Sequence, residues 1–225
     1  MKSVPSPTTR TLRRIYDALH RAFGPQGWWP GRTRTEIVVG AILTQNTNWK
    51  NVERAIAQLR AAGLLDWAVL RDVPVGKLAE LVRPAGYYNI KAARLKHFVT
   101  WLWAEHGGDF DGLAERGVDD LRAELLGIKG IGPETADSIL LYALDRPTFV
   151  VDAYTARVAV RHRLIDAPVD YDGLKALFED HLPIDACLFN EYHALLVAVG
   201  KHHCQPRAQC PGCPLERFDH DAGLG

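Results

Sequence analysis

Leu125-Leu126-Gly127-Ile128-Lys129-Gly130-Ile131-Gly132-Pro133-Glu134-Thr135-Ala136 is the stretch that decides the fold. Residues 118–126 before it read as a helix. After it Ala136, Ile139, Leu140, Ala143 and Leu144 fall at i, i+3, i+4, i+7 and i+8, one apolar helix stripe. The spacing predicts helix, tight turn, helix. Pro133 stands at a first helical position, where its missing N–H costs nothing. The glycines let the backbone turn sharply and approach a ligand closely. Free amides at a helix N-terminus favour an anion. Two readings stand level here: a grip on a DNA phosphate, and an ordinary Gly-rich turn between packed helices.

The same periodicity runs outward from the turn. Leu95, Phe98, Val99, Leu102 and Trp103 form one stripe, and Val52, Ala55, Ile56 and Leu59 another. Leu188, Tyr192, Leu195, Leu196 and Val199 form a further one, and residues 37–43 are apolar all round, as in a buried helix. About ten helices are predicted with short connections. The one strand-like run, Phe149-Val150-Val151, is too short for a sheet and lacks a partner. The fold class is therefore all-α. No composition shift marks a domain boundary in the first 200 residues, but the tail after Cys204 is rich in Pro and Gly and needs a ligand or staple to be ordered.

Composition narrows the function classes. The 225 residues carry 27 Lys plus Arg and 27 Asp plus Glu, so any basic surface is local. An apolar fraction of 47% excludes disorder as the main state. Apolar runs such as 194–199 fall far short of the roughly 20 residues of a membrane helix. Residues 1–24 show no apolar signal region, so a cytoplasmic location and no membrane partner are expected. Basic clusters at residues 1–34, at Lys91, Arg94 and Lys96, and at Arg157, Arg161 and Arg163 read individually as solvated helix faces.

Twenty residues after Gly132 comes Asp152, followed by a helical stretch. An N-cap is the ordinary reading and is compatible with function. The helix dipole and amides keep such a carboxylate ionised, as an oxocarbenium-like transition state needs. Three of the four cysteines crowd into Cys204-x5-Cys210-x2-Cys213, which reads as a metal site. Cys187 lies across a helix from them, roughly 25 Å away at 1.5 Å per residue.

Taken together, these motifs resemble the helix-hairpin-helix DNA glycosylase superfamily, and the cysteines resemble its endonuclease III branch. Leu43-Thr44-Gln45-Asn46-Thr47 and Gly86-Tyr87-Tyr88-Asn89-Ile90-Lys91-Ala92 belong to the same resemblance, which covers nearly the whole chain. It implies two helical lobes. A six-helix bundle with the hairpin spans residues 26–135; residues 1–25 and 136–225 form a second lobe with the cluster loop. It implies double-stranded DNA with a damaged base as partner, bound by a monomer. Asp152 matches the catalytic aspartate, Gln45 the side chain that fills the gap of a flipped base, and Tyr87 the wedge on the opposite strand. Ile128, Lys129, Gly130 and Gly132 match the phosphate-gripping hairpin. Without the resemblance, Gln45 reads as a helix cap and Tyr87 as core.

One departure decides the chemistry. Strand-cutting members carry a lysine where Glu134 stands, and a carboxylate forms no imine. A monofunctional glycosylase is expected, with water as nucleophile. Trp28-Trp29-Pro30, Val82-Arg83-Pro84 and Gly130-Ile131-Gly132-Pro133-Glu134-Thr135-Ala136-Asp137 further resemble the 3-methyladenine DNA glycosylase III group. There Trp28, Trp29, Pro30 and Trp49 line a pocket for an alkylated purine, whose cation gains about 0.5–2 kcal/mol over an indole face. The plain alternative for the tryptophans is a core anchor. The family's fourth cluster cysteine falls here at Asp219. A 4Fe-4S cluster on Cys204, Cys210, Cys213 and Asp219 is expected; zinc with His202, His203 or His220, or three reduced thiols, are the alternatives. Two other functions stay open: a glycosylase with abasic lyase activity on oxidised pyrimidines, and an inactive lesion-binding module.

Overall fold

The computed structural model describes residues 5–224, and every regular element among them is helical. In chain order the α-helices are α1 (Pro7–Phe23), α2 (Arg34–Leu43), α3 (Trp49–Ala61), α4 (Trp67–Asp72), α5 (Val75–Leu81), α6 (Tyr88–His106), α7 (Val118–Gly127), α8 (Pro133–Ser138), α9 (Ala153–Arg161), α10 (Tyr171–Glu179) and α11 (Ala186–His202). None of them is long and apolar enough to cross a membrane. The chain divides into a middle unit, residues 29–146, and a terminal unit, residues 5–28 with 147–224.

The middle unit holds α2 to α8. Pro74 separates α4 from α5, because the residue before a proline is pushed to extended backbone and Val73 sits at ψ 132°. The boundary at residue 135 is corrected to 146. Past α8 the chain continues as a π-turn, Ile139–Ala143. Ile139, Leu140, Ala143 and Leu144 join the core built by Val38, Val39 and Ile42 of α2, which keeps this segment in the middle unit. Glu36 is buried on α2, where it accepts from Arg32 N at 2.9 Å and Arg60 Nε at 2.8 Å. Those two partners keep its pKa low although burial alone would raise it.

In the terminal unit α1 lies on α11, and Tyr192 Oη donates to Leu12 O at 2.8 Å across them. Phe149, Val150 and Val151 are buried but form no strand; Phe149 stacks on Phe178 at 4.1 Å. Ser6, Asp152, Asp170 and Asp185 each cap a helix with a side-chain oxygen.

Two of the basic clusters are not solvated faces. Lys91 and Arg161 are 1% and 3% exposed. Lys96 Nζ donates to the carbonyls of Leu70 and Arg71 at 2.8 and 2.7 Å. These cations satisfy chain carbonyls, and that role is invisible in a count of charges.

Candidate functional site

The hairpin is built by its own turn. Gly127 ends α7, and Ile131 N donates to Ile128 O at 3.0 Å. Ile128 and Ile131 are buried, so they anchor the loop while Lys129 is exposed between them. Ile128 was expected at the DNA surface; its side chain is a core anchor instead. Gly130 takes φ +95°, and a Cβ there would meet Arg94 Cγ at 2.5 Å. Gly132 is different, with φ −100° and open space around a Cβ. Pro133 opens α8 as expected, and Glu134 is exposed in its first turn. Among the described residues, none accepts from the backbone N–H of Lys129, Gly130 or Gly132. Arg122 of α7 grips Asp137 of α8 through two bonds, Nε to Oδ1 at 2.8 Å and Nη2 to Oδ2 at 3.2 Å. Asp137 is fully buried, so this pair ties the two arms together.

Gln45 lies against the hairpin. Its Nε2 donates to Gly130 O at 3.1 Å and Thr135 Oγ1 at 2.9 Å, and its Oε1 accepts from Arg94. Tyr87 is 66% exposed and holds left-handed backbone, φ 45°. It is therefore not core, and it presents an aromatic ring to solvent just before α6. Trp29 meets Trp49 edge-on at 5.2 Å and Tyr142 at 5.0 Å. Gly40 makes room for them, since a Cβ there would lie 3.3 Å from Trp29 Nε1. Tyr142 is a member that the sequence reading missed. It lies off the 3.6-residue stripe, and only the π-turn carries it to this group. Pro30 is exposed. Trp28 belongs to the terminal unit, where Lys201 Nζ sits 5.7 Å over its ring. Its face already carries a cation, which counts against its expected place as a stack for a cationic purine.

In the terminal unit Asp152 caps α9. Its Oδ1 accepts from Thr155 N at 2.8 Å and Thr155 Oγ1 at 3.0 Å. Its Oδ2 faces His193 Nε2 of α11 at 3.6 Å. Burial alone would raise this carboxyl; the His193 imidazole, then Thr155, outweigh it and hold the pKa below the ordinary value. His193 was not found from the sequence, where it sits unmarked beside an apolar stripe.

Cys204, Cys210 and Cys213 line one cavity together with His162, His203, Glu216 and His220. Burial pushes the Cys213 thiol up; the Leu215 N–H opposes this, and the nearby Cys204, Cys210 and Glu216 add to it. Three soft sulfur donors line this one cavity, the donor type that a soft metal group takes once they are deprotonated. Among the described residues no three His, Cys, Asp or Glu side chains converge as a single metal ion requires. Asp219 is corrected as fourth ligand. Phe218 and His220 both pack against His162, so Asp219 between them turns outward to Arg163 at 3.7 Å. His220 takes the inward place. Cys187 is exposed at the far end of α11. Arg161 staples the tail. Its Nη1 donates to Gln205 O at 2.6 Å and contacts Cys204 Sγ at 3.4 Å, and its Nη2 reaches Pro206 O at 2.9 Å.

Comparison with known proteins places these features in context. The model of a family described as "HhH-GPD superfamily base excision DNA repair protein" matches residues 39–183. A Methanocaldococcus jannaschii protein named as a DNA repair glycosylase is 52% identical over 92% of this chain and 94% of its own. Endonuclease III of Sulfolobus acidocaldarius is 27% identical over 84% of this chain and 83% of its own. Among solved structures, H. pylori 3-methyladenine DNA glycosylase bound to 1,N6-ethenoadenine aligns with TM-score 0.74 and 29% identity, over 86% of this chain and 97% of that one. A trapped endonuclease III–DNA covalent intermediate shares the fold, with TM-score 0.81 and 20% identity over 96% of this chain and 97% of that one.

Proposed function

Because this chain belongs to the HhH-GPD superfamily of base excision DNA repair proteins, we propose that it is a monofunctional DNA glycosylase that hydrolyses an alkylated purine from duplex DNA. The observation that carries the hydrolytic reading is Glu134, a carboxylate in the first turn after Pro133, where the strand-cutting pattern needs an amine. The purine reading is supported by the Trp29, Trp49 and Tyr142 group and by similarity to the H. pylori enzyme.

Asp152 acts on the sugar. Its negative charge stabilises the developing oxocarbenium ion, and its oxygen takes the proton of the attacking water. The C1′–N bond breaks, its electron pair leaves with the base, and the water oxygen bonds to C1′. A positively charged alkylated base stacks on electron-rich rings and is already a good leaving group. The Lys129, Gly130 and Gly132 amides hold phosphate, which positions without reading sequence. Gln45 and Tyr87 enter the duplex and offset part of the cost of unstacking. The working form is a cytoplasmic monomer.

Cys204, Cys210 and Cys213 are read as holding a 4Fe-4S cluster, with His220 or His203 as fourth donor. Held by these residues, such a cluster would supply a structural cross-link that pins the tail. Purified protein is expected to be brown, with broad absorption near about 400 nm. Stoichiometric zinc in colourless protein would favour the zinc alternative.

The function is tested with duplexes carrying alkylated, oxidised, uracil or mismatched bases, scored for free base. Release from the alkylated duplex is expected, and release confined to oxidised pyrimidine would sink the substrate reading. The hairpin glycines separate in a second test. Gly130→Ala is expected to weaken binding to damaged and undamaged duplexes alike, by about tenfold, through strained backbone and the clash with Arg94. Gly132→Ala should bind like wild type. Equal losses in titrations of both variants would contradict this assignment.

A further inference from the structure

Lys91 is a buried cation that the chemistry above does not use. It lies one turn into α6 and is 1% exposed, and among the described residues no carboxylate pairs with it. Its Nζ donates to Leu43 O at 2.9 Å and to Ala85 O at 2.7 Å. Leu43 is the last residue of α2, two before Gln45. Ala85 closes the 3-10 turn Arg83–Ala85, two before Tyr87. Both carbonyls are C-terminal ones that have no partner within their own helix and carry the negative end of its dipole. Lys91 N also donates to Tyr87 O at 3.0 Å. One residue therefore ties down both loops.

The loops need that restraint. Asn46 holds φ 54° and Tyr87 φ 45°, conformations that L side chains rarely adopt. Such backbone persists only where its surroundings over-determine it, and it gathers at functional sites. An apolar side chain at residue 91 would fill the space but leave both carbonyls unsatisfied. Burial, then the charge of Arg94, pull the Lys91 pKa below the ordinary lysine value, so its presence has a cost that some role must offset.

We propose that Lys91 is a positioning residue that fixes the spacing of the Gln45 and Tyr87 loops, so that both side chains enter the duplex together. The proposal rests on the reading of Gln45 and Tyr87 as inserted side chains. Its test uses a duplex with one tetrahydrofuran abasic analogue beside 2-aminopurine, whose fluorescence rises on unstacking. Q45A and Y87A should each lower that rise. K91M should lower it too and weaken binding by about tenfold. In the Q45A/Y87A background K91M should add no further loss, the signature of a residue acting through those two. K91Q keeps a donor, is measured alongside in case K91M fails to fold, and should recover part of the loss. A K91M or K91Q loss that persists undiminished in the Q45A/Y87A background would overturn the proposal while the inserted-residue reading stands. Unchanged fluorescence in Q45A and Y87A would overturn that reading, and the proposal with it.

Discussion

Asp152→Asn abolishes base release and leaves duplex binding near the wild-type value. Thr155 N and Oγ1 lie 2.8 and 3.0 Å from Asp152 Oδ1, and an asparagine oxygen can accept from both, so the α9 cap and the local fold survive. What disappears is the charge, which matters only once the sugar becomes cationic. A loss on the order of 10²–10³ in rate is expected, as for removal of one transition-state partner. Single-turnover base release and a binding titration measure the two quantities. A variant that keeps more than about a tenth of the wild-type rate, a difference of about 1.4 kcal/mol, contradicts the role. The sign of the pH dependence follows from the same carboxylate. Its folded-state pKa is depressed, so the ionised, active form persists as pH falls through the ordinary aspartate range and is lost only below it. His193→Ala removes the opposing group at 3.6 Å and leaves burial less opposed, so the acid limb of the rate profile moves to higher pH.

The second large effect is on stability. Arg122→Met leaves Asp137, at 0% exposure, without its guanidinium between α7 and α8. Removing one partner of a buried ion pair costs about 3–5 kcal/mol. Urea unfolding should show that loss, and amides of the hairpin should exchange faster before global unfolding. A change below about 1 kcal/mol would mean that the pair does not hold the arms together. Asp137→Asn should cost less, because the guanidinium it releases keeps some access to water, with 18% of its side chain exposed.

Glycine and proline made the hairpin readable. Gly130 needs φ +95° and Pro133 needs a first helical position, and both demands are local. Asp152 was readable for the same reason, as a cap three residues before the Thr155 amide it binds. Longer-range partners were not readable. Lys91 looked like one of a surface trio, because nothing in its neighbours names the carbonyls of Leu43 and Ala85. His193 and Asp152 are paired only by the packing of α9 on α11. Tyr142 needed a π-turn, which has no periodic signature. Asp219 followed from spacing alone, while packing of Phe218 and His220 on His162 sets which side chain faces the thiols. The domain limit moved because the α8 stripe runs on into the middle-unit core past residue 135.

Hydrolysis without strand cleavage leaves no imine for borohydride to reduce. The native protein is incubated with a duplex that carries one abasic site, and borohydride is added to reduce any imine. No covalent complex is expected, and the strand should break only after later hot alkali, because Glu134 offers no amine. Glu134→Lys, run beside it, should gain some trapping. A borohydride-stable complex with the native protein would instead show strand cleavage through an imine, with Lys129 or Lys201 the first amines to replace.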